Sequence, residues 1–215
     1  MKSLSKMLIS GALAAGIANG VAQDSFKTEF YNGTRDNYDV VGQYGSYWAE
    51  QTFTVGAFGT NSNYNIDKIS LDLARNGTPL TCLNVDILNV DAQGHPIGAS
   101  LSHGSIAGSG LDFYPIFKYA DVAMTPFTVN PDTKYSIVLS ASTDADNYYC
   151  WGQVTFGEYP GGSQSYSDNS GASWIDIPYR DNFFEVWGQI PEPSSLSLVG
   201  LGGLGLALLG KRKKK

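Results

Sequence analysis

Both ends of this 215-residue chain are of a kind that cannot join a globular core, and this constrains the fold more than any other feature. The tail from Ile190 has three parts in fixed order. Pro191, Glu192 and Pro193 form a knot in which the two prolines fix φ and offer no N–H, so strand or helix pairing stops there. Leu196 to Leu209 then carries no charge, and Lys211, Arg212, Lys213, Lys214 and Lys215 close the chain with a basic cluster of the stop-transfer kind. As a helix the Leu196–Gly210 run reaches about 22 Å at ~1.5 Å per residue. A bilayer core is ~30 Å thick, so this single transmembrane segment is short for a permanent anchor and suits a temporary hold.

The N-terminus is patterned for export. Lys2 and Lys6 make a basic n-region, Met7–Ile17 an apolar h-region, and Gly20-Val21-Ala22 a small-residue cleavage site. Cleavage is expected after Ala22, with Gly20 as the alternative. The chain therefore divides into a signal peptide (1–22), an exported domain (23–189) and a C-terminal signal (190–215). Removing the basic ends leaves seven basic residues against the 20 acidic ones between Asp24 and Glu192, a net charge near −13. Such a surface repels nucleic-acid phosphates and anionic headgroups, so nucleic acid is not an expected partner.

The tail resembles the PEP-CTERM sorting signal of Gram-negative biofilm-forming bacteria: Pro191-Glu192-Pro193, a short Gly/Leu-rich span and a Lys/Arg end. That resemblance covers residues 190–215 and implies an exosortase as partner, cutting near the Pro-Glu-Pro. It also implies a passage held in the inner membrane by the tail, then release to the cell surface or extracellular matrix. The plainer alternative is an ordinary C-terminal anchor behind a proline-rich linker.

Within the exported domain the signals are almost wholly β. Ile66–Arg75 alternates, with Ile69, Leu71 and Leu73 on one face and Lys68, Ser70 and Asp72 on the other. Asn76-Gly77 follows and predicts a type I′ hairpin, with Leu80–Val90 as the return strand and Leu83, Val85 and Ile87 inward. Further strands are expected at Trp48–Val55, Tyr119–Val129, Lys134–Ala141, Tyr148–Val154, Trp174–Ile177 and Phe183–Trp187, with Gly98–Gly110 a Gly/Ser-rich loop. Short strands with turn residues between them indicate an all-β fold, a single antiparallel β-sandwich of jelly-roll type. The stretch from about Trp48 to Gly188 also resembles secreted β-sandwich modules of bacterial surface proteins. Gln51-Thr52-Phe53, Gly94-His95-Pro96-Ile97-Gly98, Tyr159-Pro160-Gly161-Gly162 and Phe184-Glu185-Val186 are among the residues that carry the likeness. Many such modules are accessory or adhesive, and no ligand follows from it.

Cys82 and Cys150 are the only cysteines. In an oxidising compartment an isolated pair is expected to form a disulfide, closing a loop of about 67 residues worth roughly 4 kcal/mol. Cys82 falls on the opposite strand parity to Leu83, Val85 and Ile87, which counts against that pairing. No catalytic or metal-binding residues are assigned. His95 and His103 lie in Gly-rich sequence without a nucleophile elbow, and no His/Cys spacing makes a zinc site. Nothing places two of Glu50, Glu158 and Glu185 across one pocket, which leaves glycoside hydrolysis a third reading. No cofactor is expected; Asp144, Asp146 and Asn147 could offer oxygens to Ca²⁺, but Asp and Asn are ordinary turn formers.

The aromatic residues are the most suggestive set. Trp151, Trp174, Tyr159 and Tyr166 are the candidate ligand face for an extracellular polysaccharide, near polar groups such as Gln153 and Gln164. Core packing is the expectation for the tryptophans, which leaves Tyr159 and Tyr166, in loops, as the better contacts. The chain thus reads as an exported, exosortase-sorted structural or adhesive protein without catalysis, with a carbohydrate-binding module as the alternative.

Overall fold

A computed structural model describes residues 24–191. The expected signal peptide, Glu192, Pro193, the apolar run and the basic cluster lie outside the described residues. Among the described residues thirteen strands run in chain order: β1 (Phe26–Tyr31), β2 (Asn37–Val41), β3 (Trp48–Thr54), β4 (Tyr64–Asn76), β5 (Leu83–Val90), β6 (Pro96–Ile106), β7 (Lys118–Val129), β8 (Lys134–Ser140), β9 (Tyr148–Val154), β10 (Gln164–Ser167), β11 (Ile175–Ile177), β12 (Asp181–Asn182) and β13 (Phe184–Gln189). They form two antiparallel sheets. The first has seven strands, β1-β13-β4-β9-β12, with β2 also on β9 and β7 on β4. The second has six, in the order β11-β10-β3-β8-β5-β6. The chain changes sheet at most connections between β3 and β10, as in jelly-roll-like layouts.

The period-two alternation read from the sequence sets the core. Ile69, Leu71 and Leu73 of β4 meet Leu83, Val85 and Ile87 of β5, with Ile137, Leu139, Phe53, Phe184, Tyr149 and Trp151 in the same buried cluster. One edge closes where β6 and β7 approach each other. Ser102 Oγ donates to Thr125 O, and the Thr125 hydroxyl accepts from His103 N. Gly104 sits at this junction; a Cβ there would lie 2.4 Å from Ala123 O, so only glycine lets the backbones come so near.

Several expectations are corrected. Asn76-Gly77 does turn the chain but makes no hairpin, because β4 and β5 lie in different sheets. The turn is spent on crossing between layers, where Asn76 Nδ2 donates to Asp146 O and Thr78 N to Asn147 Oδ1. Most of Gly98–Gly110 is not a loop. It belongs to β6, which the ladder with β5 holds extended despite its Gly/Ser composition. The Cys82–Cys150 disulfide is not formed; both thiols are free. Cys82 is exposed just ahead of β5 in the second sheet. Cys150 has the opposite parity to the core-facing Tyr149 and Trp151, so it points out of the far side of the first sheet, where burial raises its thiol to about 12.

Tyr159 is the most consequential correction. It was expected in an exposed loop, yet it is 4 % exposed, with its ring edge-on to Phe184. Its hydroxyl donates to Glu29 Oε1 at 2.9 Å, and the same carboxylate accepts from Gly56 N and Phe58 N. Burial raises the Glu29 pKa against those three donors. Tyr159→Ala empties a core site and takes a donor from a buried acid, so it should cost about 3–5 kcal/mol. Tyr159→Phe removes only the donor and should cost about 1–3 kcal/mol. Urea midpoints of the exported protein rank the two; equal midpoints for wild type and Tyr159→Ala would return Tyr159 to the surface.

Candidate functional site

Alternation gives the second sheet an outer face as well as a core face. On β3, Ala49 and Phe53 go inward, so Trp48 and Glu50 go outward; on β8, Ser136, Val138 and Ser140 do the same. Opposite them, Asp86 and Leu88 of β5 face out beside Pro96, Ile97, Gly98 and Ser100 of β6. The loop between β10 and β11 folds over this floor and adds Trp174. The result is a cleft of about 380 Å³ with half-buried indoles from Trp48 and Trp174 in its lining.

The loop that carries Trp174 is held by its own polar side chains. Ser167 Oγ donates to Asn169 Oδ1 and accepts from Gly171 N, while Asn169 Nδ2 donates to Ser173 Oγ. Gly171 has φ 81° and lies flat on the Trp48 ring; a Cβ there would stand 2.7 Å from Trp48 Cζ3. Both its dihedral and its contact therefore demand glycine. At the other end His95 Nε2 meets Asp176 Oδ1 at 3.0 Å, tying the start of β6 to β11 across the sheet.

Asp86, Ser100 and Ser140 add polar side chains to the lining, and further polar groups lie beside it. Ser100 Oγ donates to Asp86 Oδ1 at 2.6 Å, and His103 Nδ1 meets the same oxygen at 2.9 Å. Serine, histidine and aspartate are thus together, but both bonds converge on one carboxylate oxygen. A hydrolytic relay needs the imidazole on the serine hydroxyl instead. Glu50 lies on the same outer face without lining the cleft, 1 % exposed, accepting from Ser136 Oγ (2.8 Å) and Ser165 Oγ (2.6 Å). Burial pushes its carboxyl up to about 8, and nearby Asp176 adds to that. Glu185 is outward on β13 in the other sheet, paired with Lys27 at 2.5 Å, and Glu158 is exposed in the loop after β9. The three glutamates share no pocket.

The aromatic ligand face expected from the sequence is dispersed. Trp151 is fully buried in the core, its Nε1 donating to Phe183 O, and Tyr159 is buried as described. Tyr166 lies on β10 rather than in a loop and stacks on Tyr47 at 5.2 Å. Trp174 alone of the four lines the cleft. Sequence reading missed Trp48, although it shares parity with Glu50 on an alternating strand. It also missed a second aromatic group outside the first sheet: Tyr38 packs on Tyr114 and Phe117, with the Arg35 guanidinium 4.0 Å over Phe117 and bonded to Asp72 at 2.6 Å. The density of rings in Phe113–Tyr119 was the available signal. At Asp144–Asn147 the oxygens serve a turn: Asp144 Oδ1 accepts from Asp146 N and Asn147 N, and Asn147 Oδ1 from Thr78 N. Among the described residues no three His, Cys, Asp or Glu side chains are grouped to hold a metal.

Glu50 gives the outer face a pH signature. Its pKa is raised on folding, so its contribution is complete below the unfolded value near 4.5 and is lost as pH rises towards 8. Glu50→Gln keeps the shape and can bond both serines without a charge. The variant should melt at least about 3 °C above wild type at pH 8.5 and within about 1 °C of it at pH 4.5. A difference that does not vary with pH would show that folding leaves the Glu50 carboxyl unshifted.

The described chain ends at the sorting tail. Ile190 packs against the core as β13 finishes, and Pro191 is exposed directly after it, so the knot begins one residue outside the fold. No curated protein matches the chain. Among family models, the PEP-CTERM protein-sorting motif matches residues 189–213, spanning the knot, the apolar run and most of the basic cluster. The chain carries the PEP-CTERM protein-sorting motif and is an exported, exosortase-processed protein of the cell envelope.

Proposed function

We propose that the processed protein is a structural or adhesive component, without catalysis, displayed at the surface or in the extracellular matrix of a Gram-negative bacterium. The observation that carries this reading is the position of the sorting motif. Its Pro-Glu-Pro begins at exposed Pro191, two residues after the last strand ends at Gln189, so an extended knot can be read beside a folded domain. Its prolines pre-organise that extended form at little entropic cost. The bonds that Ser100 and His103 both make to Asp86, rather than to each other, support the non-catalytic part of this reading.

The cleft favours a second reading, capture of extracellular polysaccharide. Trp48 and Trp174 supply apolar ring faces of the kind that stack on sugars, and Asp86, Ser100 and Ser140 supply hydrogen-bonding groups between them. Such a cleft is of a size for one or two sugar units. Turnover of labelled polysaccharide would move the protein to the glycan-degrading class instead.

Two measurements separate these readings. Replacing Pro191, Glu192 and Pro193 together by Ala keeps the apolar run and the basic cluster. The variant should insert, retain its tail and accumulate in the inner membrane, while wild type loses the segment from about Leu196 onward. Fractionation with C-terminal mass mapping reads both forms, and identical processing would reduce the tail to an anchor. On a glycan array, polysaccharide capture predicts reproducible hits that Trp48→Ala and Trp174→Ala each weaken about tenfold, or about 1.4 kcal/mol. A blank array leaves the structural role.

A further inference from the structure

The space between the sheets is not apolar throughout. Near β2 a group of polar side chains points inward. On the first sheet Asn182 is the cross-strand neighbour of Gln153, and Asn37 pairs with Gln153 from the other side, with Asp39 two residues further along β2. Gln164 reaches towards them from the second sheet, where it neighbours Gln51. Gln51, Gln153, Gln164 and Asn182 are completely buried and Asp39 is 8 % exposed.

Hydrogen bonds account for only part of this group. Gln164 Nε2 and Asn182 Nδ2 both donate to Asp39 Oδ2, the second at 3.5 Å. Asn182 N donates to Gln51 Oε1 at 2.8 Å, and Gln51 Nε2 to Asp181 Oδ1 at 3.2 Å. Four buried atoms have no partner: Gln153 Oε1, Gln153 Nε2, Gln164 Oε1 and Asn182 Oδ1. Native interiors leave few such atoms, and a cluster of them calls for an occupant. Three of the four are amide oxygens beside a buried carboxylate. Asp39 makes no ion pair among the described residues; Arg180, two residues before Asn182, is the positive side chain that acts on it.

The chemistry of the donors selects the occupant. An anion is excluded by Asp39, and an apolar molecule would satisfy none of the oxygens. Softer metals favour nitrogen or sulfur ligands, and His95, His103, Cys82 and Cys150 all lie elsewhere. Carboxylate and amide oxygens are what hard cations take. We propose that Asp39, Gln153, Gln164 and Asn182 bind a hard cation of the Ca²⁺ class between the two sheets. The ion neutralises Asp39, takes up the orphaned oxygens and ties the second sheet to the first through Gln164.

The test uses the full chain in detergent, stripped with EGTA and then titrated with CaCl₂ up to about 10 mM, with metal content measured after equilibration. Wild type should retain about one Ca²⁺ per chain, and its melting temperature should rise saturably by several degrees. Asp39→Asn should lose both effects. Gln164→Leu, which spares the charge and removes one oxygen, should weaken the apparent affinity about tenfold or more. Asp144→Asn should change neither effect. A wild-type chain that retains no Ca²⁺ and melts at the same temperature throughout overturns the proposal in favour of interior water. If Asp144→Asn abolishes the Ca²⁺ effects, or if Gln164→Leu binds as tightly as wild type, the ion lies elsewhere and the proposal again fails.

Discussion

The structure depends on β4. At 13 residues it is the longest strand, and three neighbours divide its two edges. β7 runs along one edge from Tyr64 to Leu73. On the other edge β13 pairs with Asn65–Leu71 and β9 takes over from Leu73 to Asn76. Its inward face, Tyr64, Ile66, Ile69, Leu71 and Leu73, is fully or almost fully buried. At roughly 1.5–3 kcal/mol per large apolar side chain, this one face supplies the largest continuous share of the burial energy. Its outward face is not free either, since Ser70 bonds Asp121 and Asp72 pairs with Arg35. Both faces and both edges of β4 are thus committed, and the two ends of the first sheet are placed by it.

Where β9 and β13 part company, polar side chains enter the space between the sheets. β12 fills the fork by pairing with β9 at Gln153 and Val154 before the chain passes to β4. Asn182, Gln153 and Asp39 stand in that region, and Gln51 and Gln164 complement them from the second sheet. The apolar core and the polar group are therefore consequences of one topological choice, the sharing of β4 between two strands. On the opposite side of the second sheet, Glu50 is buried by a different means, a loop that closes over an outer face. Each of these buried acids is matched to amide or hydroxyl donors rather than to a cation from a lysine or arginine.

Much of the fold was legible in the sequence because side-chain direction in a strand has period two. Ile69-Leu71-Leu73 and Leu83-Val85-Ile87 faced the core as their alternation required. What alternation cannot supply is the identity of a strand's partner. Asn76-Gly77 looked like a hairpin because its local chemistry is that of a tight turn, yet crossing between sheets needs an equally tight turn. β6 was hidden because Gly and Ser have little strand preference of their own, and its ladder to β5 is a tertiary effect. Tyr159 sits beside Pro160-Gly161-Gly162, a composition that reads as exposed loop, while its burial depends on Glu29 about 130 residues away. The inward glutamines could have been found: Gln51 shares parity with Phe53, and Gln153 with Trp151.

The place of β13 in the first sheet sets an order of events in time. It is the last strand of the described chain, and it lies between β1 and β4 rather than at a margin. As the chain is made from its N-terminus, β1 and β4 emerge early but have no direct ladder between them until residues 184–189 arrive. Until then Phe184 and Val186 are missing from the core, and Tyr159 lacks the ring of Phe184 against which it packs. The residues that follow at once are the Pro-Glu-Pro knot and the apolar run. Completion of the sheet and delivery of the sorting signal to the membrane are therefore nearly simultaneous, so that a chain presenting its signal is one that has only just become able to fold.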